Sequence, residues 1–199
     1  MGQCVMTADD GAQCDCPYGK TGVDCDQDLI PTDVLFTGVR SYIRLHPRPI
    51  NSVSLSLEAE MKPNRERGLL AFIETPHFYT VLSLQGGLLE YRWTDRVSGL
   101  TSLVRSGVVL SMSQWHSVKA GRYGSRLYVW VDGALSTEAM LAHAYPHTAA
   151  NASILLGGAK DLSTLPFDAM SGPPEFYTGC LRNFHVNNIL LTLEQHNIQ

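Results

Sequence analysis

The sequence predicts an all-β protein: an antiparallel jelly-roll β-sandwich with a small disulfide-rich segment at its N-terminus. Three observations predict it. Short apolar runs recur along most of the chain, and the clearest, Ser52-Val53-Ser54-Leu55-Ser56-Leu57-Glu58, alternates with the period of two that sends every second side chain to one sheet face. Turn-forming clusters separate the runs at near-regular spacing, with no long helical pattern between them. Of the 5 cysteines, Cys4, Cys14, Cys16 and Cys25 fall at the very front of the chain, a density that marks a disulfide framework formed in an oxidising compartment.

The totals bound the rest. A chain of 199 residues accommodates one medium domain plus a small module. With 44% hydrophobic and 17% charged residues it can fold by burial. A net charge of −4 argues against a general nucleic-acid binder, and no apolar run is long enough for a transmembrane helix. Met1-Gly2-Gln3-Cys4-Val5 lacks the basic start and apolar stretch of a secretory signal. Cysteines of extracellular type without a signal lead us to expect a piece of a longer secreted or cell-surface protein.

Taken in order, the front segment is residues 1–28. Zinc is a poor alternative to disulfides there, because Cys14-Asp15-Cys16 leaves one residue between the sulfurs where zinc pairs usually leave two, and no second pair follows. Residues 27–31 form a polar-to-proline joint, and a larger domain is expected over 29–199. Its strands are expected at 34–36, 41–45, 53–60, 69–73, 79–84, 88–93, 115–119, 127–131, 154–156 and 184–191. Turns are expected at Lys62-Pro63-Asn64, Gln85-Gly86-Gly87, residues 121–124, Asp132-Gly133 and Gly157-Gly158; Asp-Gly between apolar runs is a strong hairpin signal. Residues 138–144 read as one helical turn or a loop. Trp115 is expected to bury its ring in the core.

Two resemblances sharpen this reading. The run Cys14-Asp15-Cys16-Pro17-Tyr18-Gly19-Lys20-Thr21-Gly22-Val23-Asp24-Cys25 resembles the C-terminal half of an EGF-like module. That likeness implies a Cys16–Cys25 bond and leaves Cys4 and Cys14 either free or paired with each other. Four stretches in order resemble the laminin G-like domain. They are Gly68-Leu69-Leu70-Ala71-Phe72-Ile73; residues 79–84 followed by 88–93; Trp115-His116-Ser117-Val118 followed by 127–133; and Leu155-Leu156-Gly157-Gly158 with the later Tyr177-Thr178-Gly179-Cys180-Leu181-Arg182-Asn183-Phe184. Cys180, the odd cysteine, is either a buried free thiol or a residue whose partner lies beyond Gln199; the odd count favours the second.

The second resemblance implies a non-catalytic adhesion or matrix module that binds a glycan or protein through loops at the sandwich rim. Many such domains hold calcium there with acidic or amide side chains and backbone carbonyls. By this likeness Phe78 stands where an Asp ligand is usual, Asn151 falls near the second side-chain ligand and Asp95 near a carbonyl ligand. Without the carboxylate, calcium binding is expected to be weak or absent. Asn151-Ala152-Ser153 is also an N-glycosylation sequon. Arg65, Arg67 and Arg96 make a basic ligand patch if their loops meet. Two further readings compete. Glycosidases need two carboxyl groups at close range, and Glu58 and Glu60 are expected on one strand face about 7 Å apart; a structural spacer without ligand is the other. His143 and His147 lack the adjacent Glu of a metalloprotease helix, and Pro146 opposes a helix there.

Overall fold

The computed structural model describes residues 3–6, 12–15, 20–21, 23–28, 33–141 and 149–191. Two short hairpins come first. Strand β1 (Gln3–Met6) pairs with β2 (Ala12–Asp15), in a register that sets Cys4 opposite Cys14, and β3 (Lys20–Thr21) pairs with β4 (Gln27–Asp28). Cys25 is disulfide-bonded. The inferred Cys16–Cys25 pairing and the state of the Cys4 and Cys14 thiols lie outside the described residues and side chains.

The main body continues with β5 (Asp33–Thr37), β6 (Ile43–Asn51), β7 (Ser54–Pro63), β8 (Gly68–Glu74), β9 (Phe78–Gln85) and β10 (Leu88–Asp95). Then come β11 (Thr101–Val109), β12 (His116–Tyr123), β13 (Arg126–Val131), β14 (Ala134–Met140), β15 (Ala149–Leu156), β16 (Thr178–Val186) and β17 (Ile189–Leu190). One antiparallel sheet runs β11-β10-β9-β8-β15-β6. The other runs β14-β13-β12-β7-β16-β17, with β5 also on β16. The two stack as a sandwich. Leu55, Leu57 and Met61 of β7 face Leu82 and Leu84 of β9, Tyr91 and Trp93 of β10, and Ile154 of β15 in one buried core. Alternation in β7 is complete from Ser54 to Pro63, each apolar residue inward and each polar one partly solvated. The Asp132-Gly133 turn joins β13 to β14 with φ of 50° and 78°, the left-handed pair that a tight two-residue hairpin requires.

Two strands fall where no run was expected. β11 and β14 are the outer strands of their sheets. Half solvated, with small and polar residues, they lack the apolar density that marks interior strands. β14 also takes in residues 138–140, so the start of 138–144 is strand and not a helical turn; residues 142–148 lie outside the described set. The sheet edges meet where the Gly107 N–H donates to Ser136 Oγ at 2.8 Å. Pro47 and Pro49 sit in β6, at the other edge of its sheet, where a missing N–H costs no ladder bond.

Trp115 is not a core residue. It is 38% exposed, just before β12, and the Arg182 guanidinium lies 4.1 Å from its ring centroid. The buried position belongs to His116, whose Nδ1 is 2.9 Å from Asp132 and Nε2 3.0 Å from the Ser111 carbonyl. The core tryptophan is Trp93, at 1% exposure. Phe78 stacks on one side of it at 4.1 Å, and the Arg122 guanidinium lies 4.5 Å from its centroid.

The sheets differ on their outer faces. Residues 157–177 cross the six-stranded sheet, burying Ala159, Leu165, Ala169 and Met170 against Tyr42, Leu69, Phe72, Tyr79, Val81 and Leu155. Two polar residues pin this strap. Asp168 accepts hydrogen bonds from the Tyr79 hydroxyl and, at 2.9 Å, from Thr101 Oγ1. Ser171 Oγ donates to Glu90 (2.8 Å) and accepts from Arg92 (2.8 Å) and Arg105 (3.1 Å). Among the described residues no such strap crosses the outer face of the seven-stranded sheet.

Candidate functional site

The rim at the β8–β9 turn gathers the residues implied for calcium. Phe78 and Asp95 are opposite one another across β9 and β10, and Asn151 lies two residues before Ser153, which pairs with Glu74. The Phe78 ring, at 2% exposure, points into the sandwich against Trp93. The Asp95 carboxylate accepts from the Ser98 N–H at 2.8 Å and from Ser98 Oγ at 2.5 Å, closing its own turn. Asn151 is solvent-exposed. Arg96 already places a cation at this rim, 2.8 Å from Glu74 and 5.8 Å from the Tyr79 centroid. Among the described residues no group of three or more His, Cys, Asp or Glu side chains could hold a metal. Phe78 supplies no oxygen, the Asp95 carboxylate is engaged by its own turn and Glu74 by Arg96, so the side chains at this rim do not make the hard oxygen shell calcium takes.

The expected basic patch divides. Arg65 and Arg67 lie on or beside the β7–β8 loop, which passes from one sheet to the other, whereas Arg96 is at the opposite end of β8, about 20 Å away by the rise of the strand. Arg105 takes the place proposed for Arg96. It shares an open pocket of about 600 Å³ with Arg65 and Arg67, also lined by Glu66, Gln85, Glu90 and Glu175. Arg67 Nε is 2.9 Å from Glu175, and Arg105 Nε is 2.5 Å from Glu90, which is 2% exposed. Arg65 is exposed and, among the described residues, makes no ion pair. Arg105 is forty residues from Arg65 in sequence, and only the β10–β11 pairing of Glu90 with Arg105 brings it in.

Glu58 and Glu60 do share the outer face of β7. Glu58 lies 2.7 Å from Lys119 Nζ and accepts from Ser56 Oγ at 3.1 Å. Glu60 accepts from Asn183 at 2.9 Å and from Arg182 Nε at 2.7 Å. The Lys119 hydrogen bond holds Glu58 below the usual carboxylate range, and the Asn183 and Arg182 hydrogen bonds do the same for Glu60. Both carboxylates are ion-paired, the opposite of the environment that raises the pKa of a glycosidase's acid. Cys180 is a free, half-buried thiol on the same outer face, between Leu35 and Lys62 of the neighbouring strands. Among the described residues no helix is long and apolar enough to cross a membrane.

Comparison with known proteins agrees with this architecture. The chain is 27% identical to Protein eyes shut of Drosophila melanogaster over 94% of its own length and 12% of the relative. It is 32% identical to the basement membrane-specific heparan sulfate proteoglycan core protein of Mus musculus over 65% of its length and 4% of the relative. It therefore corresponds to a small part of each. Among solved structures, domains LG4-5 of the mouse laminin alpha1 chain superpose with a TM-score of 0.69 at 19% identity, covering 84% of this chain and 44% of that one. The family model described as Laminin G domain matches residues 61–189, from near the end of β7 to the start of β17, and the chain belongs to the laminin G domain family.

Proposed function

We propose that this chain is a non-catalytic adhesion or matrix-interaction module of an extracellular protein, and that its ligand, a glycan or protein bearing acidic groups, docks at the rim pocket of Arg65, Arg67 and Arg105. The observation that carries this reading is the convergence of three guanidinium groups, from the β7–β8 loop and from β11, on one open pocket; Arg67 and Arg105 are ion-paired there, and Arg65, which makes no ion pair among the described residues, is the cation left for the ligand. Guanidinium forks match carboxylate and sulfate oxygens in two-point hydrogen bonds. One relative is by name a basement membrane protein, which supports the matrix setting and the extracellular location. The ion-paired state of Glu58 and Glu60 favours binding over catalysis.

The module boundaries follow the same reading: an EGF-like tail over 1–28 and the laminin G domain over 29–199. The two small front hairpins and the disulfide at Cys25 support the first assignment. The exposure of Asn151 supports a glycan on its sequon.

A glycan array probed with and without calcium, followed by titration calorimetry, tests the proposal. Saturable binding that weakens with added salt and falls in the Arg65→Ala, Arg67→Ala double variant is expected. Binding that requires calcium, or that is unchanged in the double variant, would remove the rim pocket from the reading.

A further inference from the structure

The open face of the seven-stranded sheet carries a second site built on different chemistry. Its centre is Gly121 on β12. A Cβ there would collide with the Leu55 carbonyl oxygen and come within 2.7 Å of the Tyr128 hydroxyl and 3.0 Å of its ring carbon. The Tyr128 ring thus lies down across the neighbouring strand at the one position where no side chain holds it upright. Trp130 stands two residues along β13 on the same face, about 7 Å away by strand rise, and is 37% exposed; Tyr123 is 71% exposed. These three rings, with Lys119 and Arg126, enclose a depression of about 390 Å³, a size typical of small-ligand sites.

The depression continues across the strands. A second hollow of about 230 Å³ shares Lys119 and Trp130 with the first and is lined also by Glu58, Glu60, Ser117, Asn183 and His185. Together they cross β13, β12, β7 and β16, three strand spacings or about 14 Å. That length suits a short chain better than one ring.

Charge selects among ligands. Each cation in the first hollow has its own carboxylate: Lys119 pairs with Glu58 at 2.7 Å, and Arg126 pairs with Glu138. Glu60 is answered by Arg182. The face therefore offers fixed donors and acceptors side by side with little net charge. Flat aromatic rings beside paired donors and acceptors match the apolar C–H face and the hydroxyl edge of a sugar. The paired cations give an acidic ligand no unbalanced charge, and they oppose a cation over the rings.

We propose that this face binds a neutral oligosaccharide, stacked on Tyr128 and Trp130 and hydrogen-bonded by Lys119, Glu58 and His185. The site is separate from the rim pocket and does not depend on it. The test is titration calorimetry with xylohexaose, cellohexaose, mannohexaose and galactohexaose, at about 0.05 and 0.5 M salt. Saturable binding of at least one, insensitive to salt, is expected. It should fall about tenfold or more in Trp130→Ala and in Tyr128→Ala, and persist in Tyr128→Phe and in the Arg65→Ala, Arg67→Ala double variant. Tyr128→Phe keeps the ring, so it separates stacking from any folding defect in the alanine variants. No saturable heat with any of the four sugars overturns the proposal, as does binding that survives both alanine substitutions. Concentration-dependent self-association abolished by Trp130→Ala, without sugar binding, would overturn it in favour of a second copy of the chain.

Discussion

Replacing Phe78 by Asp puts a carboxylate at the position that the sequence resemblance implies for a calcium ligand, and the packing of the ring predicts that the exchange costs the fold instead of creating a site. The ring removed is 2% exposed and stacked at 4.1 Å on Trp93. Deleting a buried Phe ring alone costs about 3–5 kcal/mol. The new carboxylate, held in the sandwich by the inward direction of position 78, adds a desolvation cost of several kcal/mol unless it is paired. The nearest cation in the stack, Arg122, lies on the other side of Trp93 and already donates from Nε to the Gly124 carbonyl at 2.8 Å. A domain of this kind has about 5–15 kcal/mol in total, so Phe78→Asp should lose most of its stability. Urea denaturation followed by tryptophan fluorescence measures it, with Phe78→Leu as the milder comparator. Expected is a Phe78→Asp protein unfolded or nearly so without denaturant, with or without millimolar calcium. A folded variant with a parental midpoint and a calcium binding heat would refute the reasoning: the position would be a loosely packed rim residue and the calcium site one substitution away.

Three further outcomes follow from the packing. Trp93→Ala should cost about 3–5 kcal/mol, whereas Trp115→Ala, at a partly exposed ring, should cost about 1 kcal/mol; chemical denaturation of the two side by side checks the order. Gly121→Ala forces the Tyr128 ring and the Leu55 carbonyl apart and should cost about 1–3 kcal/mol as an overpacking change, visible as a lowered melting temperature. Asp168 is the third. Burial opposes its charge, but the Tyr79 and Thr101 hydrogen bonds outweigh burial and hold its pKa below 3.8. A carboxylate depressed in the folded state contributes stability above its unfolded pKa and loses it as pH falls through the folded value. Asp168→Asn should therefore flatten the acid side of the stability curve below about pH 4. At the alkaline side, burial and the neighbouring Asp168 push Tyr79 up to about 12; its contribution is intact below the unfolded value of 10.0 and is lost as pH rises toward the folded one. Thermal melts of parent and variant across pH locate both limbs.

The sequence by itself determined the sandwich, because a strand buried on one face must alternate and β7 does so over its whole length. It also determined the hairpin at Asp132-Gly133, where backbone sterics leave few residue choices, and the ladder of strands that carries the family likeness. It was silent on the two edge strands. β11 and β14 are paired along a full ladder on one side only and mix their apolar residues with small and polar ones. The sites were legible in part. Arg65 and Arg67 were visible as a local cluster, since a short loop keeps neighbours in sequence close in space. Arg105 was not, and Arg96 was wrongly joined to them, because the order of strands in a sheet decides which distant loops share a rim. The same holds for burial at Trp115 and His116. One residue of register reverses inside and outside, and the pairing of His116 with Met61 fixed which of the two went in. Glu58 and Glu60 were correctly placed on one face, yet their chemistry was set by Lys119, Asn183 and Arg182 from other strands. Tyr128 over Gly121 lay beyond any reading of the chain, since a glycine's missing side chain becomes a platform only when the neighbouring strand lays a ring across it.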